Sequence, residues 1–200
     1  MKHITTFALI FFVAVTFCGC RSEESPSNNG QSDNSNETAG GDQNENQPTL
    51  VEAELGTTPD LTRFGNFYLA GQFAEEDVAI MKDAGVEVVI NLREDSEMTW
   101  DEQGVLEAAG IEYISIPFAQ PETLTDEVFN RARAALAENS QRKVMLHCKS
   151  AGRVGCIWGA YRAMDDGLSI DEAIEEGKEV GMRSWLTDRL REYLEANQSE

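Results

Sequence analysis

From Asn66 onward the chain alternates short apolar runs with longer helical ones, and this alternation limits the fold more than any other feature. Asn66–Ala70, Val86–Leu92, Ile111–Ile116 and Lys143–His147 read as strands. Glu75–Ala84, Trp100–Ala109, Thr125–Asn139 and Val154–Asp165 read as helices, with Gly85, Gly110 and Gly167 as stops. Pro117 ends the third strand, and Ser169–Glu172 is a capping box that opens one more helix. Strands that alternate with helices make βαβ units and a mostly parallel central sheet flanked by helices, so the expected class is α/β. There are no internal repeats.

The residues before this pattern are of another kind. Lys2 precedes an apolar run from Ile4 to Phe17, 14 residues long, where a bilayer-spanning helix needs roughly 20. A basic start, a short apolar core and a small residue before a break describe an export signal over 1–19. Gly19-Cys20 resembles a bacterial lipobox, which implies lipidation at Cys20 and a membrane anchor. Arg21 stands where an Asp would mark inner-membrane retention, so by the same resemblance an extracytoplasmic, outer-membrane location is favoured. Residues 20–57 are rich in Ser, Asn, Gln, Asp, Glu and Gly and bury too little to offset their ordering entropy, so a disordered tether is expected. The folded domain is expected over 58–200.

The net charge is −20. Residues 21–55 hold eight acids against Arg21, and residues 56–200 hold 28 acids against 14 bases. No broad cationic field exists to recruit phosphate backbones, which excludes non-specific nucleic-acid binding. Four cysteines in 200 residues do not make a disulfide scaffold. His3 and His147 are the only histidines, so no His-based metal site is expected, and nothing calls for a cofactor. The oligomeric state is left open.

Against this acidity one cluster stands out. The strand ending at His147 runs into Cys148-Lys149-Ser150-Ala151-Gly152-Arg153, and a helix follows. Ligands of open α/β sheets sit beyond the carboxyl ends of the strands. A loop there, entering a helix N-terminus, aims backbone N–H groups and a positive dipole end at one point. That setting, with Lys149 and Arg153 nearby, favours a thiolate at Cys148. A thiolate, an N–H cradle and an Arg fork suit attack on a phosphoryl or similar anionic group.

His147-Cys148-x-x-x-Gly152-Arg153 resembles the signature loop of cysteine-based protein tyrosine and dual-specificity phosphatases. Tyr68–Gln72, Glu75–Asp77, Val89–Arg93, Ile114–Pro117 and His147–Gly155 together resemble the beta-lactamase-hydrolase-like group of phosphatase-like domains, over about Leu61 to Glu195. The resemblance implies a protein tyrosine phosphatase-like fold. It also implies Cys148 as nucleophile, Arg153 as binder of two phosphate oxygens, the backbone of Lys149, Ser150, Ala151 and Gly152 as cradle, and His147 as orienter of the loop. Three departures accompany it. The related loops place five residues between Cys and Arg, and here there are four, a spacing that also resembles rhodanese-type sulfurtransferases. Val154 stands where a Ser or Thr would assist the leaving thiolate. No single acid matches the general-acid position: Glu122 is the candidate, while Asp126 is expected to serve the first turn of a helix.

Arg93 and Gln72 are expected on the edge that carries Cys148. Arg93 reads either as a substrate-anion ligand or as a salt bridge to Glu94 or Asp95, and Gln72 reads as a turn residue. Cys156 reads as a small core residue, or else as a partner that could trap Cys148. Three functions compete. One is an extracytoplasmic, lipid-anchored phosphatase for phosphotyrosine or a small phosphorylated molecule. The second is a sulfane-sulfur transferase using the same thiolate. The third is an anion-binding module without turnover.

Overall fold

The computed structural model describes residues 48–198. The expected export signal, the Cys20 anchor and the tether up to residue 47 lie outside the described residues. Among the described residues, no helix is long and apolar enough to cross a membrane.

The sheet has six strands: β1 (Val51–Glu52), β2 (Thr62–Phe64), β3 (Phe67–Ala70), β4 (Val88–Asn91), β5 (Glu112–Ser115) and β6 (Val144–His147). Their spatial order is β1-β2-β3-β6-β4-β5. β3, β6, β4 and β5 run parallel, as the alternation requires, while β1 and β2 add an antiparallel margin. Six helices follow the same rhythm: α1 (Asp77–Asp83), α2 (Glu102–Ala108), α3 (Asp126–Glu138), α4 (Gly152–Met164), α5 (Ile170–Val180) and α6 (Ser184–Asn197).

Successive strand residues point to opposite faces, and both faces are covered. Leu69, Val88, Ile90, Val144 and Leu146 join the core formed with α3, α4, α5 and α6. Tyr68, Ala70, Val89 and Met145 join the smaller core under α1 and α2. Helix α4 is buried along nearly its whole length, which its apolar sequence permits on every side. It packs so closely on α5 that a Cβ at Gly155 would lie 2.2 Å from the Gly177 carbonyl oxygen and 2.6 Å from the Met182 nitrogen.

Two expectations are corrected. The tether does not extend to residue 57: Val51–Glu52 pairs with β2, and Asp77 accepts hydrogen bonds from the backbone N–H and hydroxyl of Thr57. The folded part also contains β1, β2 and α6, which the apolar pattern does not reveal. β2 and β3 are joined by the two-residue turn Gly65-Asn66, with Gly65 at φ +55°, a conformation that suits glycine.

The parallel register puts Ala70, His147, Asn91 and Ser115 in one row at the carboxyl edge. The residues just beyond that row make the site. Since α4 sets the position of the loop before it, Gly155→Ala should force α5 away and lower unfolding free energy by roughly 2–3 kcal/mol. Urea denaturation would measure this, and an unchanged midpoint would contradict the close helix contact.

Candidate active site

Cys148 follows β6 directly and is buried at 1% exposure. It lines a cavity of about 240 Å³ together with Glu97, Lys149, Gly152, Arg153, Arg183 and Trp185. The loop is fixed at both ends. The Cys148 N–H donates to the Ala70 carbonyl at 3.3 Å, the Gln72 N–H donates to the Lys149 carbonyl at 3.3 Å, and Ser150 bridges Gly71. Ala151 caps α4 with φ +55°, a left-handed conformation uncommon for a residue with a side chain, and so the loop holds local strain. The first N–H groups of α4 have no carbonyl one turn earlier in the helix and face the loop end.

Arg153 lies in the first turn of α4 beside Cys148. Its Nη1 donates to the carbonyls of Leu92 (3.1 Å) and Phe118 (2.7 Å). Its fork grips Glu97, with Nη1–Oε2 at 2.7 Å and Nη2–Oε1 at 2.8 Å. Burial works against the charge on Arg153, but the Glu97 hydrogen bonds and then the Cys148 charge outweigh it and hold the guanidinium above its ordinary value. The hydrogen bond from Arg153 holds the Glu97 carboxyl below the usual range, against burial and with help from the Glu94 backbone N–H. Glu97 is therefore a fixed anion on the cavity wall.

Arg93 bonds to Gln72 Oε1 and to the Glu97 backbone carbonyl. It faces Glu97, with Nε–Oε1 at 3.8 Å, rather than Glu94 or Asp95, and it does not line the Cys148 cavity. Gln72 is more than a turn residue, for its amide also donates to Glu102 Oε2 at 2.7 Å. His147 is fully buried, and its Nε2 meets Glu102 Oε1 at 2.9 Å. The structure thus brings together Cys148, Arg153, Lys149, Ser150 and Gly152 on one cavity, with His147 and Arg93 behind it.

Glu122 lies elsewhere. It is exposed on the short 3₁₀ turn Pro121–Thr123 and does not line the cavity. Asp126 sits in the first turn of α3 and pairs with Arg189, as expected of a helix-start acid. Cys156 is a core residue whose thiol is pushed up by burial, and both described cysteines are free. Sequence reading missed Glu97, Glu102, Arg183 and Trp185. The first two carry no local signal, and the last two depend on α6.

A thiol between a strand end and a helix N-terminus, with an arginine fork beside it, is the site of a cysteine-based phosphatase, and the fold agrees. Residues 51–192 match the family described as "DSP-PTPase phosphatase fused to NAD+ Kinase", and the chain belongs to it. No curated protein matches the chain. Among solved structures it is similar to Tk-PTP in the active form, at 23% identity and TM-score 0.56 over 66% of this chain and 92% of that one. It is similar to P. aeruginosa TpbA in complex with pTyr, at 22% identity and TM-score 0.53 over 78% and 99%. It is also similar to PTPMT1 in complex with PI(5)P, at 17% identity and TM-score 0.56 over 66% and 92%. These likenesses establish the shared fold.

Because the folded-state value of Glu97 is depressed, its contribution to stability is present above the unfolded value of about 4.3 and is lost as pH falls through the lower folded value. Glu97→Gln should cost about 2 kcal/mol at neutral pH. That difference should narrow on acidification below the ordinary glutamate range. Urea unfolding of both proteins at several pH values measures it, and a constant difference would exclude the ionic role.

Proposed function

We propose that the protein is an extracytoplasmic, lipid-anchored cysteine-dependent phosphatase acting on small or isolated phosphoryl groups. The observation that carries the reading is Cys148 on the floor of a cavity at the N-terminus of α4 with the Arg153 fork beside it. In this reading the Cys148 thiolate attacks phosphorus, and the bond from phosphorus to the leaving oxygen breaks with its electron pair on that oxygen. Water then cleaves the S–P bond and restores the thiolate with release of phosphate. The N–H groups opening α4, Lys149 and Arg183 stabilise the equatorial oxygens.

The membrane anchor is the reading of Gly19-Cys20, and an outer-membrane site follows from Arg21. The beta-lactamase-hydrolase-like grouping rests on the motifs from Tyr68 to Gly155. TpbA was solved with pTyr and PTPMT1 with PI(5)P. Both ligands suit a site that takes one phosphoryl group from a larger molecule. A second reading, anion binding without turnover, is favoured by one observation: both nitrogens of the Arg153 fork already hold Glu97.

Glu97 is the only carboxylate on the cavity among the described residues, and it is held ionised. Among the described residues no neutral carboxyl group is thus placed on the cavity to protonate a leaving group, a service worth roughly a hundredfold or more. Aryl phosphates, which leave as stabilised anions, should therefore exceed alkyl phosphates in kcat/KM by about a hundredfold. Cys148→Ser should abolish both activities. Equal rates on the two substrate classes would remove this account of the site. Thiocyanate formation from thiosulfate and cyanide, with no phosphate release, would replace the reading by sulfur transfer. Phosphate bound in an Arg153-dependent way with no turnover would support the second reading.

The anchor is tested separately. The full chain expressed in a bacterial host should partition into detergent, and Cys20→Ser should move it to the aqueous phase. Aqueous partition of the parent would exclude lipidation.

A further inference from the structure

Glu102 has no part in the attack described above, yet it is 2% exposed and both its oxygens are used as acceptors. Oε1 faces His147 Nε2 at 2.9 Å, and Oε2 accepts from Gln72 Nε2 at 2.7 Å. Gln72 Oε1 accepts in turn from Arg93, whose other terminal nitrogen reaches the Glu97 carbonyl. The Glu97 side chain then grips Arg153. One line of hydrogen bonds therefore runs from the residue before the nucleophile to the arginine fork beside it.

The chemistry of the groups fixes the direction of that line. A guanidinium can only donate, so Gln72 must present its oxygen to Arg93 and its amide nitrogen to Glu102. Glu102 must then accept on that side. On the other side Oε1 meets His147 Nε2 at 2.9 Å, and the surroundings of Nδ1 decide which ring nitrogen carries the proton. His147 Nδ1 has no hydrogen-bond partner, as suits a bare acceptor nitrogen, since a buried N–H without a partner would cost more. Tyr113, Asp95 and Asp101 line the open side of Glu102, and the hydrogen bonds that hold its carboxylate come from His147 and Gln72.

We propose that Glu102 is a positioning residue for Cys148. As a double acceptor it meets the donors that His147 and the Arg93-oriented Gln72 present, and so ties the residue before the nucleophile to the arginines that lead to the fork. The proposal rests on the reading of Cys148 as the nucleophile. Catalytic groups need such support, because a misplacement of about 1 Å can cost on the order of a hundredfold in rate.

The test exploits direction. In Glu102→Gln the new amide nitrogen meets a donor at Gln72 or at His147, unless His147 moves its proton to the partnerless Nδ1. The paired variant Glu102→Gln with Gln72→Glu moves the carboxylate to position 72. There it accepts from Arg93 and from the new amide, whose oxygen remains for His147, while the hydrogen bond from Gln72 Nε2 to the Phe73 carbonyl is given up. Overall charge and side-chain size are kept. The full-length chain and both variants are alkylated with iodoacetamide and with iodoacetate, and modification at Cys148 is followed by mass spectrometry. Thermal unfolding serves as the fold control, and hydrolysis of an aryl phosphate is measured alongside.

We expect Glu102→Gln to slow alkylation by about tenfold or more, and the paired variant to recover most of that loss. Parent-like rates in the single variant would overturn the proposal. So would a paired variant with the parent's unfolding midpoint that stays as slow as the single one. If the single variant fails to fold, the paired variant decides by itself: parent-like rates support the proposal and slow rates overturn it. Alkylation needs no turnover. The expected pattern in a chain that hydrolyses no phosphate would support the positioning role of Glu102 while overturning the phosphatase reading.

Discussion

Four side chains that carry or can carry charge, Arg93, Glu102, His147 and Arg153, are buried at one edge of a single sheet. A buried ion without a partner costs several kcal/mol, so the chain around them must supply opposite charges and acceptors at fixed places. The segment from Arg93 to Glu102 does so. Its 3₁₀ turn, Asp95–Glu97, is closed by a reciprocal cap between Glu94 and Glu97. That turn puts the Glu97 carboxylate on Arg153 and the Glu97 carbonyl on Arg93. Without those two arginines nothing apolar would hold the turn, since none of its three residues is buried. The site edge is thus folded by charge compensation, whereas the rest of the sheet is folded by apolar burial.

The short loop follows from the same geometry. With four residues between Cys148 and Arg153, α4 begins at Gly152, and Arg153 already lies in its first turn. Val154 then turns into the core among α3 to α6 and is fully buried. A hydroxyl at that position would need a buried partner, so valine serves packing there and leaves the intermediate without an assisting group. Ala151 accepts the left-handed turn that makes the short loop possible.

Much of this was legible in the sequence, because burial on both faces leaves a strong local mark. β3, β4 and β6 are mostly runs of valine, isoleucine, leucine and aromatic residues, β5 at the sheet margin is half polar, and the helices between them end at Gly85 and Gly110, both at positive φ. Cys148, Arg93 and Gln72 could be placed on the edge because each closely follows a strand, and Arg153 because it opens the helix after the Cys148 loop. β1 and β2 could not be read, since two or three residues are too few to show alternation. Glu102 could not be read for another reason. An acid in the first turn of a helix is what the helix dipole favours, and nothing local tells such a surface acid from one that reaches under a buried histidine. Glu97, in a loop between charged neighbours, has the same anonymity.

The acidity of the chain takes on a sharper meaning at this edge. Residues 56–200 carry 28 acids against 14 bases, yet Lys149, Arg153 and Arg183 converge on one small cavity. Lys149 and Arg183 are exposed there, while the fork of Arg153 is held by Glu97. An entering anion therefore meets exposed cations and helix N–H groups first, and reaches the fork only in competition with a carboxylate already in place. A dianion such as a phosphoryl group competes better than a singly charged one, because attraction to the guanidinium grows with charge. The surrounding acids act over longer distances and oppose a ligand that brings many negative groups. In the proposed reading charge at short range and charge at long range thus favour the same ligand, a single dianionic group presented alone.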